Sequence, residues 1–206
     1  MTTVDEDSGP NAILSQWILS QFSDGYRGVA IDVGAADGYS VNTTFWLEAE
    51  HGWRVLCIEP NPHWHEKLLT NRGLVLTCAC DVESKELADF HVHVDCPEAY
   101  SSLRPTANHE VWRPADNASW EIIQVPVKTL EQCVALADLP QIDALCVDTE
   151  GTELDVLKSM DLGKWQPRVV IVESWDEGGM DEYLSRFGYR RELRRIVNDC
   201  YVLRNS

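Results

Sequence analysis

The sequence predicts an α/β fold, a three-layer sandwich whose mainly parallel sheet ends in an antiparallel hairpin. Two patterns carry this expectation. From residue 28 onward, short apolar runs alternate with stretches of helical spacing, the signature of parallel strands joined by crossover helices. Near the end, "YRRELRR" and "CYVLRNS" follow each other with only "VNDC" available as a turn, which reads as a strand pair. At 206 residues the chain has the length of one domain with a sizeable core. We expect a single domain over 1–206, with 1–10 as a flexible lead-in and 82–120 as an inserted segment on the substrate side.

The elements follow in order. "MTTVDEDSGP" is polar and acidic, and "NAILSQWILSQF" has the apolar spacing of a helix packed across the domain. "GVAIDVG" reads as the first strand, and "SVNTTFWLEAEHG" as a helix capped by Ser40 or Asn42 and stopped by Gly52. "RVLCIEP" is the second strand, and "NPHWHEKLLTN" a helix with Asn61 ahead of a proline in its first turn. "GLVLTCACD" reads as the third strand. "ADFHVHVD" alternates like a half-exposed strand, and "CPEAYSSLRPTANHEVWRPADNASW" is an irregular insertion rich in Pro, Ser and aromatics. A strand "EIIQVPVKT", a helix "LEQCVALADL", a strand "IDALCVDTEG", a helix "TELDVLKSMDL", a strand "RVVIVESWD" and a short helix near "MDEYLSRFG" lead to the final pair. No internal repeat or low-complexity tract interrupts them.

Composition narrows the partners. With 17 Lys+Arg against 34 Asp+Glu, the formal net charge of −17 opposes binding to nucleic acid or to an anionic membrane surface. The 7 cysteines are an odd number, several within apolar runs, which favours reduced thiols in a cytoplasmic compartment. No secretory leader and no apolar run long enough for a membrane span is evident, so a soluble cytoplasmic protein is expected.

In an open parallel sheet, ligands bind beyond the carboxyl ends of the strands. Acids at those ends are therefore the functional candidates: Asp32 and Asp37 after the first strand, Glu59 after the second, Asp148 and Glu150 after a middle strand, Glu173 after the next. A dinucleotide fingerprint needs G-x-G-x-x-G around a pyrophosphate, whereas Gly34-Ala35-Ala36-Asp37-Gly38 lacks the middle glycine and places a carboxylate where that charge would sit. A phosphate-free cofactor with a cationic amino-acid part fits this loop better. Glu59 stands where a carboxylate accepts both hydroxyls of a ribose. Together these features point to S-adenosyl-L-methionine (SAM), with its adenine near Cys80, Asp81 and Val82.

The segments "IDVGAADGYSVNTTFWLE", "GWRVLCIEPNP", "NR", "IDALCVDTEGTELDVLKSMD" and "PRVVIVE" resemble, in order and spacing, the FkbM-type SAM-dependent methyltransferases over about Gly28 to Asp176. "EPNP" and the D-x-E-G-x-E pattern of "DTEGTE" are the specific parts; Ala36 departs from a position that is often Asn in the family. The resemblance implies the class I methyltransferase (Rossmann-like) fold, SAM as donor, and O-methylation of a hydroxyl on a sugar or natural product. By that match Asp32, Gly34 and Glu59 contact the cofactor, and Asp148 to Glu153 form an acidic motif near the transferred methyl. The full expected cofactor set is Asp32, Gly34, Ala35, Asp37, Gly38, Glu59, Pro60, Cys80, Asp81, Val82 and Asp148.

Transfer to an alcohol needs alignment and removal of a proton, which a general base or a metal can supply. Asp148 and Glu150 are the expected orienting or base residues, with His109 of the insertion reaching over the site. An alternative sets Asp148, Glu150 and Glu173 as oxygen ligands of Mg²⁺. Glu153, in the first turn of a helix, fits macrodipole compensation as well as function. His91 and His93 share a strand face without a third ligand at zinc-like spacing. His63 and His65 read as surface residues; Tyr100, Trp112 and Trp120 could stack on a substrate or pack the insertion. Cys57 and Cys146 read as buried and inert. The acceptor is expected to be a small hydroxylated molecule. Rival readings are N-methylation on the same fold and a non-catalytic SAM-fold partner protein.

Overall fold

The computed structural model describes residues 9–93, 101–104, 120–174 and 179–204. The described strands are β1 (Val29–Val33), β2 (Arg54–Ile58), β3 (Leu74–Leu76), β4 (Ala79–Cys80), β5 (Lys85–His93), β6 (Trp120–Lys128), β7 (Ala144–Val147), β8 (Val169–Glu173), β9 (Tyr189–Arg195) and β10 (Asn198–Leu203). The described helices are α1 (Ala12–Ser20), α2 (Phe45–Ala49), α3 (Pro62–Asn71), α4 (Leu130–Leu136), α5 (Glu153–Lys158), α6 (Leu162–Trp165) and α7 (Gly179–Ser185).

Seven strands form one sheet in the order β3-β2-β1-β7-β8-β10-β9. β3, β2, β1, β7 and β8 run parallel, and β10 pairs antiparallel with both β8 and β9. The expected parallel sheet with its C-terminal hairpin is thus present. All five residues of β1 and of β8 are buried, as strands covered on both faces must be. Their side chains divide by parity. Ile31, Val33, Leu56, Ile58, Leu145, Val147, Val170 and Val172 pack with residues of α4, α5 and α7, whereas Ala30, Val55, Cys57, Ala144, Cys146, Val169 and Ile171 pack with Leu14 and Ile18 of α1. These two cores make the three layers.

Several expected boundaries move, each for a local reason. "GLVLTCACD" is not one strand. Leu76 closes the pairing with Ile58, while Ala79 and Cys80 pair with Val127 and Lys128 in a second sheet of order β4-β6-β5. That sheet has its own apolar core of Ala79, Phe90, Val92, Val125 and Val127, so "EIIQVPVKT" also belongs to it and not to the main sheet. Helix α2 starts at Phe45 and not near Ser40, because the side chains expected to cap it are used otherwise: Ser40 Oγ donates to Asp37 Oδ2 at 2.8 Å, and Asn42 Nδ2 to Asp32 Oδ2 at 2.9 Å. Gly52, at φ +66, does stop the following turn. "TELDVLKSMDL" splits into α5 and α6, since Ser159 Oγ donates back to Val156 O and Asp161 caps the new start through Lys164 N. Asn198 already belongs to β10, leaving Ile196 and Val197 as the hairpin turn.

The parallel strand order changes direction between β1 and β7. The loops that leave these two strands therefore diverge above their carboxyl ends and open a crevice there. No helix among the described residues is long and apolar enough to cross a membrane.

Candidate active site

A cavity of about 530 Å³ fills that crevice, within the size range of small-molecule sites. Its wall includes Asp32 and the 33–37 loop, Glu59 to Asn61, Cys78 to Cys80, Phe90, and Asp148 to Glu150.

The glycine loop is shaped by contact with β7. Gly34 has φ +85, and a Cβ there would lie 1.6 Å from the carbonyl oxygen of Asp148. Only glycine allows the β1 and β7 exits to approach so closely. Ala36 also sits in the left-handed region, at φ +47, where Asn is better tolerated than Ala. The departure noted at this position thus falls on backbone that the usual Asn would suit. Asp37 does not extend into the crevice as a free acceptor: Oδ1 accepts from Tyr39 N and Ser40 N, and Oδ2 from Ser40 Oγ. It closes its own turn.

Asp32 is buried, and its Oδ2 accepts from both Asn42 Nδ2 and Thr44 Oγ1. Behind them lies Arg72, whose guanidinium donates to Glu48 Oε2 at 2.6 Å, Gly38 O at 3.1 Å, Asn42 Oδ1 at 3.0 Å and Thr44 Oγ1 at 2.8 Å. Arg72, part of the short "NR" segment, was not among the expected site residues. Its position after α3 carries no local sign that it folds back on the glycine loop.

Glu59 ends β2 with both oxygens engaged: Oε2 accepts from Ala36 N at 2.9 Å and Oε1 from Asn61 N at 2.7 Å. It therefore holds the glycine loop and the start of α3 at once. Burial pushes its carboxyl up to about 7, against the two N–H donors that hold it down, and the charge of Asp32 adds to the rise. Each carboxylate oxygen keeps a second lone pair. Beside it, Asn61 caps α3 through Oδ1 and leaves Nδ2 buried with no hydrogen-bond partner among the described residues. His65, expected at the surface, contacts Glu59 O through Nε2 at 3.0 Å.

The acids after β7 and β8 meet on the other side of the crevice. Asp148, Glu150 and Glu173 each present one carboxylate oxygen, and these lie within 4.8 Å of one another. Asp148 is exposed and opens onto the cavity. The protein crowded around it, then Glu150 and Glu153, push its carboxyl above the usual range. Burial and the neighbouring Asp148 raise Glu173 likewise. Glu150 stands at φ +56 and Gly151 at φ +103, a turn that costs about 1 kcal/mol at the non-glycine position. Glu153 stabilises this turn, since its Oε1 accepts from Thr149 N and Gly151 N, each at 2.9 Å.

A family model for the methyltransferase FkbM domain matches residues 32–191. The chain belongs to this family. Its resemblance to FkbM methyltransferases, noted on the acidic and "EPNP" segments, is thereby established. The solved FkbM methyltransferase from Methylobacillus flagellatus KT has a TM-score of 0.52 to this chain at 15% identity, covering 85% of this chain and 43% of that one. The chain thus spans less than half of that protein's length, and the likeness is one of fold. The precorrin-6y C5,15-methyltransferase from Geobacter metallireducens GS-15 has a TM-score of 0.49 at 12% identity, covering 98% of this chain and 96% of that one. No curated protein matches the chain.

In this FkbM domain, Asp32, Gly34, Ala35, Asp37, Glu59, Pro60, Cys80, Asp148 and Glu150 all line the one cavity. Gly38, at φ +73, lies behind the loop against Arg72 and Leu68, where a Cβ would come within 2.6 Å of Arg72 Cγ. Asp81 and Val82 are not part of that wall. Arg104 holds Asp81 with two hydrogen bonds, of 2.7 and 3.1 Å, and Val82 N donates to Asp81 Oδ1. This contact with Arg104 keeps the Asp81 carboxyl below the usual range. His91 and His93 stand edge-on to Trp120, with centroids 6.5 and 5.1 Å away. His109, Tyr100 and Trp112 lie outside the described residues.

Proposed function

We propose that this chain transfers a methyl group from SAM to a hydroxyl oxygen of a small acceptor, a sugar or another natural product. Membership of a methyltransferase family supports the reaction class. The observation that carries the choice of donor is Glu59, a buried carboxylate at the end of β2 with the unpaired Asn61 Nδ2 beside it on the cavity wall. Together they offer acceptors and a donor to a vicinal diol such as a ribose, and a buried amide without a partner is a cost that such a ligand removes.

Once bound, SAM supplies an electrophilic methyl on a sulfonium centre. The residues of the chain account for the rest. Asp32 and Glu150 line the same cavity, and carboxylates there favour a cationic ligand over its neutral product. The Gly34 loop and the turn held by Glu153 are rigidly tied, which suits in-line alignment of two reactants. Asp148 and Glu150 lie where an acceptor hydroxyl can be oriented and its proton accepted.

Calorimetric titration with SAM tests the donor: we expect one site per chain, lost in Glu59→Ala. A screen of hydroxylated sugars and natural products for a methyl-sized mass gain tests the acceptor class. Absence of SAM binding by the wild type would overturn the reading.

A further inference from the structure

We propose that Asp148, Glu150 and Glu173 bind one divalent, oxygen-preferring cation of the Mg²⁺ class at the wall of the methyl-transfer cavity. Three carboxylate oxygens from three separate backbone positions, the exit of β7, the turn after it and the end of β8, converge within 4.8 Å. A site of this kind uses carboxylate oxygens at ~2.1 Å in an octahedron, which sets ligand oxygens ~3 to ~4.2 Å apart. Small side-chain adjustments bring the three groups to that spacing.

Crowded acids alone would not identify a site. The second observation is Glu173 itself, which is 6% exposed and keeps Oε2 buried without a hydrogen-bond partner among the described residues. A cation can satisfy it, because a metal-bound carboxylate uses lone pairs that no donor among the described residues reaches. Among the described residues the donor set is all oxygen, with no thiol or imidazole, which suits Mg²⁺, Mn²⁺ or Ca²⁺ and not Zn²⁺. Asp148 and Glu150 line the cavity, so the remaining coordination positions face it. The consequence for catalysis, that an acceptor hydroxyl replacing a bound water there becomes more acidic, rests on the proposed methyl transfer; the cation site does not.

The test uses Mn²⁺ alone as probe, with the full chain in 150 mM NaCl and free Mn²⁺ read by electron paramagnetic resonance. We expect one Mn²⁺ per chain, displaced by excess Mg²⁺. Glu173→Gln and Glu150→Gln, each checked for folding by near-UV circular dichroism, should weaken binding at least tenfold, and the exposed Glu83→Gln should leave it unchanged. Diffuse binding without unit stoichiometry, or equal binding by Glu150→Gln and wild type, overturns the proposal. Glu59→Ala separates the two readings: it should lose SAM and keep the Mn²⁺ site. A chain that binds Mn²⁺ but never SAM would sink the methyl-transfer reading and leave the cation site standing.

Discussion

Asp32 and Arg72 are joined through Thr44, whose hydroxyl donates to Asp32 Oδ2 at 2.7 Å and accepts from Arg72 at 2.8 Å. A buried carboxylate beneath the glycine loop is thus held by a guanidinium from the far end of α3, with Asn42 as a second bridge. Removing one partner of such a network leaves the other charge buried, which costs about 3–5 kcal/mol. Arg72→Met should lower stability by that amount in urea denaturation. Thr44→Val, which removes the bridging hydroxyl but keeps the volume, should cost about 1–3 kcal/mol. An unchanged midpoint for Arg72→Met would mean that the network contributes nothing.

Cofactor binding should depend on pH through Glu59. Burial pushes its carboxyl up to about 7 in the fold, from an ordinary value of 4.5. Because the folded value is raised, this group's contribution to the stability of the ligand-free fold is complete below the unfolded value and is lost as pH rises through about 7, a change of about 3 kcal/mol. A ribose and a sulfonium need the ionised form. SAM affinity should therefore rise about tenfold between pH 6 and pH 8, since the ionised fraction rises by about that factor. Calorimetry across this range with the wild type and Glu59→Gln checks it: a slope equally steep in the variant would assign the dependence to another group.

The glycine loop should respond in opposite ways at two neighbouring positions. Ala36→Gly relieves a left-handed alanine at φ +47, and we expect thermal unfolding to show a gain of about 0.5–1 kcal/mol. Gly34→Ala should fail, since the new Cβ meets the Asp148 carbonyl at 1.6 Å and must force β1 and β7 apart. Loss of soluble expression or of SAM binding is the expected result.

The thiols should be silent in the native state. Cys78 and Cys80 each approach Cys133 at 3.8 Å between sulfurs, and all three are buried. The Cys78–Cys133 hydrogen bond and burial raise the Cys78 thiol, and burial raises those of Cys57, Cys146 and Cys200. Thiols held protonated are poor nucleophiles. Iodoacetamide followed by peptide mass spectrometry should label these six only after unfolding. Rapid native labelling of Cys78 or Cys80 would show that the cavity admits the reagent and frees the thiolate.

Much of this site was legible in the chain because its elements are local. Apolar runs such as "VAIDV" and "RVLCI" declare their strands, and the acids that end them, Asp32, Glu59, Asp148 and Glu173, are placed by strand direction alone. What failed was what depends on neighbours distant in sequence. Nothing within "GLVLTCACD" marks the point where pairing passes from Ile58 to Val127, because both halves are equally apolar and only the partner strands differ. Asp37 and Asp81 read as cofactor contacts, yet one turns into its own loop and the other is held by Arg104, twenty-three positions away.

The sequence by itself determined the order of the elements, the glycine turn and the acids at strand ends, since periodicity and turn chemistry act over a few residues. Only the tertiary structure decided which acids face one another and which are already engaged. Strand order brings β8 beside β7, so Glu173 meets Asp148, and the return of Arg72 to the loop answers a buried charge that no local pattern reveals. Through-space electrostatics and burial follow from packing, and packing is a property of the whole chain.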